Sequence, residues 1–331
     1  MVFGGGTHRR AEMAKASPKS SRRWGVLLAG GDGTRLRQLT RFICGDERPK
    51  QFCPLLGGRT LLAEARRRAE RSIDARRLLY SVTRTHENHY ARELADCGSL
   101  RIVQPSNRGT APAIVLALLH LLDRDNDAVV AFLPCDHYYS EEGRFTEALD
   151  AAFAVAEARR DCVVLLGAEP RGPEVEYGWI ELGGLVTETG ASVYRVRGFQ
   201  EKPPLPMAEH LFRSGSLWNT FVMVGHVSAF LEMVAQSVPG LLEMLRAAHA
   251  PARGAPETRI ADSVYERITP TDFSRHVLAP GAQRLVALGL GDVEWNDLGD
   301  PERVILTLAS RRTKLPGWAH RWRKSTAPAV A

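Results

Sequence analysis

Between Trp24 and Gly167, apolar runs of strand length alternate with segments of helical periodicity, and this alternation leaves the chain few architectures to choose from. Trp24–Ala29, Leu78–Thr83, Arg101–Gln104, Ala128–Leu133 and Cys162–Gly167 read as strands. Leu61–Arg71, Glu87–Ala95, Ala111–Leu122 and Arg144–Ala156 read as the helices between them. Parallel strands need a crossover, and a crossover helix buries its apolar face on the sheet, so the series predicts a parallel sheet covered by helices. The strand-end loops of such a sheet share one rim, where open α/β folds bind ligands. The loop after Ala29 belongs on that rim.

Beyond Gly167 the rhythm changes. Tyr177–Leu182 and Ser192–Phe199 read as strands of a hairpin or mixed sheet. "EKPPLP" (Glu201–Pro206) then stops regular pairing, because proline cannot donate to a ladder. Helices are expected at Met207–Phe212, Val227–Gln236 and Pro239–His249, and "APARGAPE" (Ala250–Glu257) reads as a surface loop. The expected fold class is therefore α/β, a Rossmann-like mixed and mainly parallel sheet flanked by helices. The expected division is a basic arm at 1–23, one domain at 24–310 and a basic tail at 311–331.

With 44% hydrophobic and 25% charged residues the composition is that of a folded globular protein. The formal charge of +6 suggests nucleic acid at first sight, but much of the excess lies at the ends, from Arg9 to Arg23 and from Arg311 to Lys324. Terminal charge runs of this kind are commonly solvated, so no nucleic-acid partner is expected. The five cysteines (Cys44, Cys53, Cys97, Cys135, Cys162) are odd in number and form no CxxC pair, which points to a reducing compartment. No apolar stretch reaches the ~18 residues of a membrane span, and the N-terminal segment has no apolar secretory core. A cytoplasmic protein without a membrane partner is expected; a homo-oligomer is left open.

The loop "LAGGDGTRL" packs Gly30, Gly31 and Gly33 behind the first strand, with Thr34 and Arg35 following. It fails the dinucleotide fingerprint, because Leu36 stands where the third glycine belongs, and it lacks the lysine of a P-loop. Glycines still let backbone N–H groups approach an anion closely, and Arg35 with Lys50 brings two positive charges. Lysine usage adds weight to that reading. Only six of the 44 basic residues are lysine, and the two outside the tails, Lys50 in "RPKQF" and Lys202 in "EKPP", both adjoin proline. An ammonium is a point charge where guanidinium is a planar fork, so a retained lysine hints at a site that an arginine would not fit.

From Trp24 to Val304 the sequence resembles the sugar-nucleotide pyrophosphorylases, a nucleotidyltransferase family. The resemblance rests on "LAGGDGTRL", "RPKQF", "QPSNRGTAPAI", "FLPCDHYYS", "EYGWIEL", "GFQEKP", "LWNTFVMVG" and "VEWNDLG", in that order. "PKQF" and "TAPAI" favour its guanylyl, mannose-type branch. The reaction implied joins a nucleoside triphosphate, GTP first, to a hexose 1-phosphate, mannose 1-phosphate first, and releases pyrophosphate. The resemblance further implies Asp136 and Asp297 as ligands of Mg2+, and Arg35 and Lys50 as the grip on the triphosphate. Gly30, Gly31, Gly33, Thr34, Gln104, Gly109 and Thr110 would line the nucleotide, and Gly178, Glu201, Lys202 and Asn219 the sugar phosphate. Taken alone, Asp136 and Asp297 read equally well as turn or cap residues, and Thr110 as a helix N-cap. His137 reads as a packing residue and Cys135 as an apolar filler.

Some positions depart from the family's usual wording. Cys135 replaces an alanine, Gly109 an asparagine, and "WNTFV" the commoner "WNSGM", which adds bulk at Thr220 and Phe221 beside Asn219. The sugar is therefore less firmly specified than the chemistry. UDP- or dTDP-hexose synthesis, or a non-catalytic sugar-nucleotide sensor, are the rival readings. The segment after Leu298 is too short for an appended β-helix or cupin-like domain, which implies a single catalytic unit.

Overall fold

The computed structural model describes residues 22–95, 100–187, 192–249, 257–311 and 314–326. Twelve strands occur among them: β1 (Arg23–Leu28), β2 (Leu78–Thr83), β3 (Leu100–Gln104), β4 (Val129–Pro134), β5 (Tyr138–Tyr139), β6 (Val163–Ala168), β7 (Gly178–Thr187), β8 (Val193–Glu201), β9 (Leu217–His226), β10 (Glu257–Arg259), β11 (Leu285–Gly289) and β12 (Trp295–Asn296). Ten of them form one sheet in the order β10-β3-β2-β1-β4-β9-β6-β11-β8-β7, and β7 pairs back onto β9.

The wing β10-β3-β2-β1-β4 is parallel throughout. β2 and β4 are buried along their whole length, as strands covered on both faces must be. The helix Thr110–Arg124 is apolar all round and buried from Ala111 to Leu121, so it lies inside the covering layer rather than on the surface. The helix Leu61–Ala69 starts at Thr60, whose hydroxyl accepts from the Ala63 N–H at 3.1 Å.

The other half corrects the expectation of a mainly parallel sheet. β9 runs antiparallel to β4, β6 and β7, β8 is antiparallel to β7 and β11, and only β6–β11 is parallel there. Parallel and antiparallel pairings are thus equally numerous in the large sheet, and β9-β6-β11-β8-β7 closes into a five-strand ring. The reason lies in β9 and β11. Both arrive late in the chain yet insert beside strands of the first half.

Three apolar clusters hold the fold. Two lie on opposite faces of the sheet, and the third joins Leu36, Leu39, Tyr138 and Leu298 to Val304, Leu308, Trp318 and Ala319. The segment expected as a solvated tail thus contributes a helix, Gly317–Thr326, whose Trp318 and Ala319 are buried. Arm residues 1–21, Cys97 and most of "APARGAPE" lie outside the described residues. Cys44 and Cys53, unpaired by spacing in sequence, bring their sulfurs to 3.3 Å as free thiols. Among the described residues no helix is long and apolar enough to cross a membrane.

Candidate active site

The glycine loop leaves the end of β1 and is held from both sides. Gln51, buried, donates its side-chain amide to Ala29 O at 3.0 Å and to Gly31 O at 2.7 Å, while Thr83 Oγ1 donates to Gly30 O at 2.9 Å. Gly33 has φ +59, and a Cβ there would lie 2.9 Å from Lys50 N, so the close approach of the two loops needs glycine. A Cβ on Gly31 would meet nothing within 4 Å, and that open space is the cleft. Thr34 and Arg35 follow on an exposed 3-10 turn, Thr34–Leu36.

Asp136 and Asp297 are 161 positions apart in sequence, and a ribbon of two residue pairs closes the gap. β5 pairs antiparallel with β12, Trp295 opposite Tyr139 and Asn296 opposite Tyr138. One step further along that register places Asp297 by His137, next to Asp136. Lys50 completes the junction: its ammonium lies 3.2 Å from Asp136 Oδ2 and donates to Asp297 O at 2.6 Å and Leu298 O at 3.2 Å. All three ammonium protons have acceptors, so the lysine is engaged with protein rather than open space.

The Asp297 carboxylate is gripped in turn. Its Oδ1 accepts from Gly299 N at 2.9 Å, Arg303 at 3.0 Å and the Tyr177 hydroxyl at 3.3 Å; Arg35 lies 3.9 Å from Oδ2. Burial alone pushes this carboxyl up, but Lys50, His137 and Arg303 outweigh it and hold the group below its usual range. Arg303 also pairs with Glu174 at 2.8 Å and Asp300 at 3.2 Å, and its guanidinium lies 4.7 Å over the Tyr177 ring. His137 accepts from Trp295 Nε1 on Nδ1 at 3.3 Å, leaving Nε2 toward Asp136 Oδ1 at 3.7 Å. Burial pushes this imidazole down, so it is neutral at pH 7 and stays a packing group.

The sugar-side candidates gather where β7, β8 and β9 meet. Gly178 pairs with Glu201 across the ladder, and a Cβ on it would stand 2.7 Å from Glu201 Oε2 and 3.3 Å from Asn219 Cβ. Glycine therefore lets both side chains approach. Lys202 and Arg35 converge on a single oxygen, Glu176 Oε2, at 3.7 and 3.6 Å, so two cations 167 positions apart in sequence share one anion site.

Among the described residues, three non-glycine residues have positive φ, namely Lys202 (50°), Phe221 (59°) and Leu298 (49°), and each follows a candidate residue within two positions. Left-handed backbone in such residues costs about 1–3 kcal/mol and clusters at functional sites. At Phe221 the cause is a bulge. In the β6–β9 ladder Leu166 faces Val222 and Gly167 faces Asn219, leaving Thr220 and Phe221 unmatched.

Burial, with Asp272 nearby, pushes the Glu201 carboxyl from 4.5 up to about 7. The folded state then binds more protons than the unfolded state between those two values, so this residue's contribution to stability falls as pH rises through that window. Glu201→Gln is expected to gain stability relative to the native chain between pH 5 and pH 8, by roughly 2 kcal/mol. Thermal melts across that range check it; parallel profiles for the two proteins contradict it.

A cleft of about 350 Å³ unites Gly30, Gly31, Gln104, Gly109, Thr110 and Asp136 with Phe221 and with three residues the sequence reading passed over: Ser81, Asn107 and Asp272. Gly33, Thr34, Arg35, Lys50 and Asp297 lie in the loops and charged cluster beside it, and Gly178, Glu201, Lys202 and Asn219 where β7, β8 and β9 meet; none of these nine lines the cleft itself. Thr110 is the first residue of its helix rather than the N-cap. Its hydroxyl accepts from Phe273 N at 2.7 Å and donates to Asp272 Oδ2 at 3.3 Å. Gly109 is the cap, with φ +87, and a Cβ there would fall 2.4 Å from Thr271 O, which explains why asparagine is absent. Gln104 is spent on Ser81 and on the Tyr265 hydroxyl. Of the residues passed over, Arg303 had a readable signal. "GDPER" carries the Asp cap and N1 proline of a helix start, one turn beyond Asp297.

A glycine-lined cleft at the carboxyl ends of parallel strands, flanked by paired cations and carboxylates, defines an α/β protein built to receive an anionic ligand. The chain belongs to the nucleotidyl transferase family, whose sequence pattern matches residues 24–310. It is 31% identical over 279 residues to the xanthan biosynthesis protein XanB of Xanthomonas campestris, and 29% identical over 279 residues to a mannose-1-phosphate guanylyltransferase of Klebsiella pneumoniae. Each alignment covers 83% of this chain and 57% of the relative, so the chain spans little more than half the length of these proteins. Among solved structures it is similar to a Thermus thermophilus protein described as mannose-1-phosphate geranyltransferase, with TM-score 0.74, 31% identity and coverage of 88% of this chain and 80% of that one.

Proposed function

We propose that this chain is an enzyme that joins GTP to mannose 1-phosphate, giving GDP-mannose and pyrophosphate. The parallel wing β10-β3-β2-β1-β4 acts as its Rossmann-like nucleotide half. The observation that carries the proposal is the meeting of Asp136 and the Asp297 segment on one ammonium, Lys50, beside the glycine-lined cleft. The names of the similar proteins from Klebsiella pneumoniae and Escherichia coli agree with the guanylyl and mannose assignment.

The donor set fits a hard divalent cation. Two carboxylates are contributed, Asp297 is held ionised, and Mg2+ takes few carboxylates and completes its shell with phosphate oxygens and water. When bound at Asp136 and Asp297, Mg2+ neutralises charge on the phosphates. The remaining work falls to the chain. Arg35 and Lys202 exchange Glu176 for phosphate oxygens and hold two polyanions that repel each other close together. Gly30 and Gly31 bring backbone to the nucleotide, and the helix Thr110–Arg124, whose Ala111 N–H is spent on Thr271 O and whose Pro112 has none, offers the positive end of its dipole. Lys50 keeps both aspartate segments in register. A phosphate monoester has a second pKa near ~6, so the sugar phosphate arrives ionised and needs no general base.

A pyrophosphate-release assay over four nucleoside triphosphates and several hexose 1-phosphates, with and without Mg2+, tests the proposal. Release is expected with GTP and mannose 1-phosphate and is expected to stop without the metal. Preference for UTP or dTTP with glucose 1-phosphate would reassign the substrates. Tight GDP-mannose binding with no release anywhere on the grid would replace the enzyme by a sensor.

A further inference from the structure

Phe221 combines two properties that rarely meet. It is a bulky aromatic residue in the left-handed backbone region, at φ 59°, and it lines the cleft. The residues around it are arranged to keep it there. Thr220 fills the break in the ladder with its own hydroxyl, donating to Leu166 O at 2.6 Å and accepting from Val222 N at 3.3 Å. Asn219 Oδ1 accepts the Phe221 N–H at 3.1 Å, so the residue assigned to the sugar also fixes the turn that carries the ring. A bulge beside a site re-aims a side chain, and here it turns one residue of an otherwise buried strand into the cavity.

The strain does not serve the core. Phe221 is only partly buried, at the margin of one cluster, while its strand neighbours Val222 and Met223 are buried almost completely. Apart from His137, the other cleft-lining side chains carry no aromatic ring. Phe221 is tied by its N–H to Asn219, one of the sugar-side candidates, while its cavity is lined by Gly30, Gly31, Gln104, Gly109 and Thr110, so the ring stands where the nucleotide cleft borders the sugar side.

We propose that Phe221 is a specificity-determining residue: its ring is the wall between the nucleotide cleft and the Asn219 side, and it excludes hexose 1-phosphates bulkier than the one admitted. The inference rests on the reading of the cleft as a sugar-nucleotide site. A wall of this kind acts by exclusion, and a single misplaced group against a packed surface changes relative rates by roughly 10–200-fold. The bulge, not the sheet, carries the ring, so its removal leaves the ladder intact.

The test compares the native chain with Phe221→Gly. Phe221→Asn serves as a second variant, because asparagine tolerates the left-handed region and is short. Turnover is measured with mannose 1-phosphate, glucose 1-phosphate and N-acetylglucosamine 1-phosphate, and affinity for the corresponding GDP-sugars by calorimetry. Both variants are expected to narrow the preference for mannose over the bulkier sugar at least tenfold, in kcat/KM and in Kd, while the preference for GTP over UTP stays unchanged. An unaltered sugar preference overturns the inference, as does a change in base preference alone, which would move the ring to the nucleoside. If the native chain binds GDP-sugars without turning over, the enzymatic reading fails while the Kd comparison still decides the role of Phe221. If it binds none of them, both fall.

Discussion

Asp297→Asn is expected to lower pyrophosphate release by about three orders of magnitude, or about 4 kcal/mol of transition-state stabilisation. Asparagine keeps the size of the side chain but removes the charge that Lys50, His137 and Arg303 are arranged around. The fold should survive. Arg303 retains Glu174 and Asp300, so its guanidinium is not stranded, and the loss of stability at pH 7 should stay near 1–2 kcal/mol. The sign of the pH effect is specific. A carboxyl held below its unfolded value contributes stability above that value and loses it as pH falls through the folded one. The variant should therefore lose its deficit in stability below about pH 3.8, where the native chain gives up the same contribution. Turnover assays with thermal melts at pH 3 to 7 check both parts; a variant that melts far below the native chain at pH 7 would make Asp297 a structural residue.

Lys50→Met should damage activity and fold together, and here the geometry changes what the sequence implies. The resemblance implies Lys50 as a grip on the triphosphate. In the structure the ammonium ties segments 247 positions apart, and the side chain is 12% exposed. Methionine leaves the Asp136 carboxylate and two backbone carbonyls without their donor, a loss of roughly 2–3 kcal/mol in stability for a partly buried pair broken on one side. Activity should fall at least a hundredfold, because Asp136 and Asp297 lose their common anchor. Lys50→Arg should not restore either property, since a planar fork cannot point three donors at converging acceptors. Urea denaturation and turnover of both variants check this. Native-like stability in Lys50→Met would show that the ammonium is dispensable to the fold.

The parallel wing was legible because β1, β2, β3 and β4 each read as an apolar run bounded by turn residues. β9 was quoted as a motif and not as a strand, because a strand buried on both faces shows no alternation. β10, "ETR", has no apolar residue at all, and β5 and β12 are two residues each, too short for any period to register. The two interior lysines that scarcity singled out sit beside carboxylates of the candidate site, Lys50 by Asp136 and Lys202 by Glu176. Glu176, Asp272 and Gln51 escaped because their importance lies in partners far along the chain. No local pattern announces a carboxylate shared by Arg35 and Lys202, or an amide that braces a loop 20 residues away.

The place of β11 sets a schedule for synthesis. It lies between β6 and β8, so a growing polypeptide emerging from the ribosome must leave a gap beside β6 for more than a hundred residues before the missing strand is made. Contacts so distant in sequence are late and slow to form, and the exposed edges meanwhile invite wrong pairing. The carboxylate at position 297 comes later still. Nascent chains released just before that point would hold all five strands of the ring and lack the second carboxylate of the candidate centre.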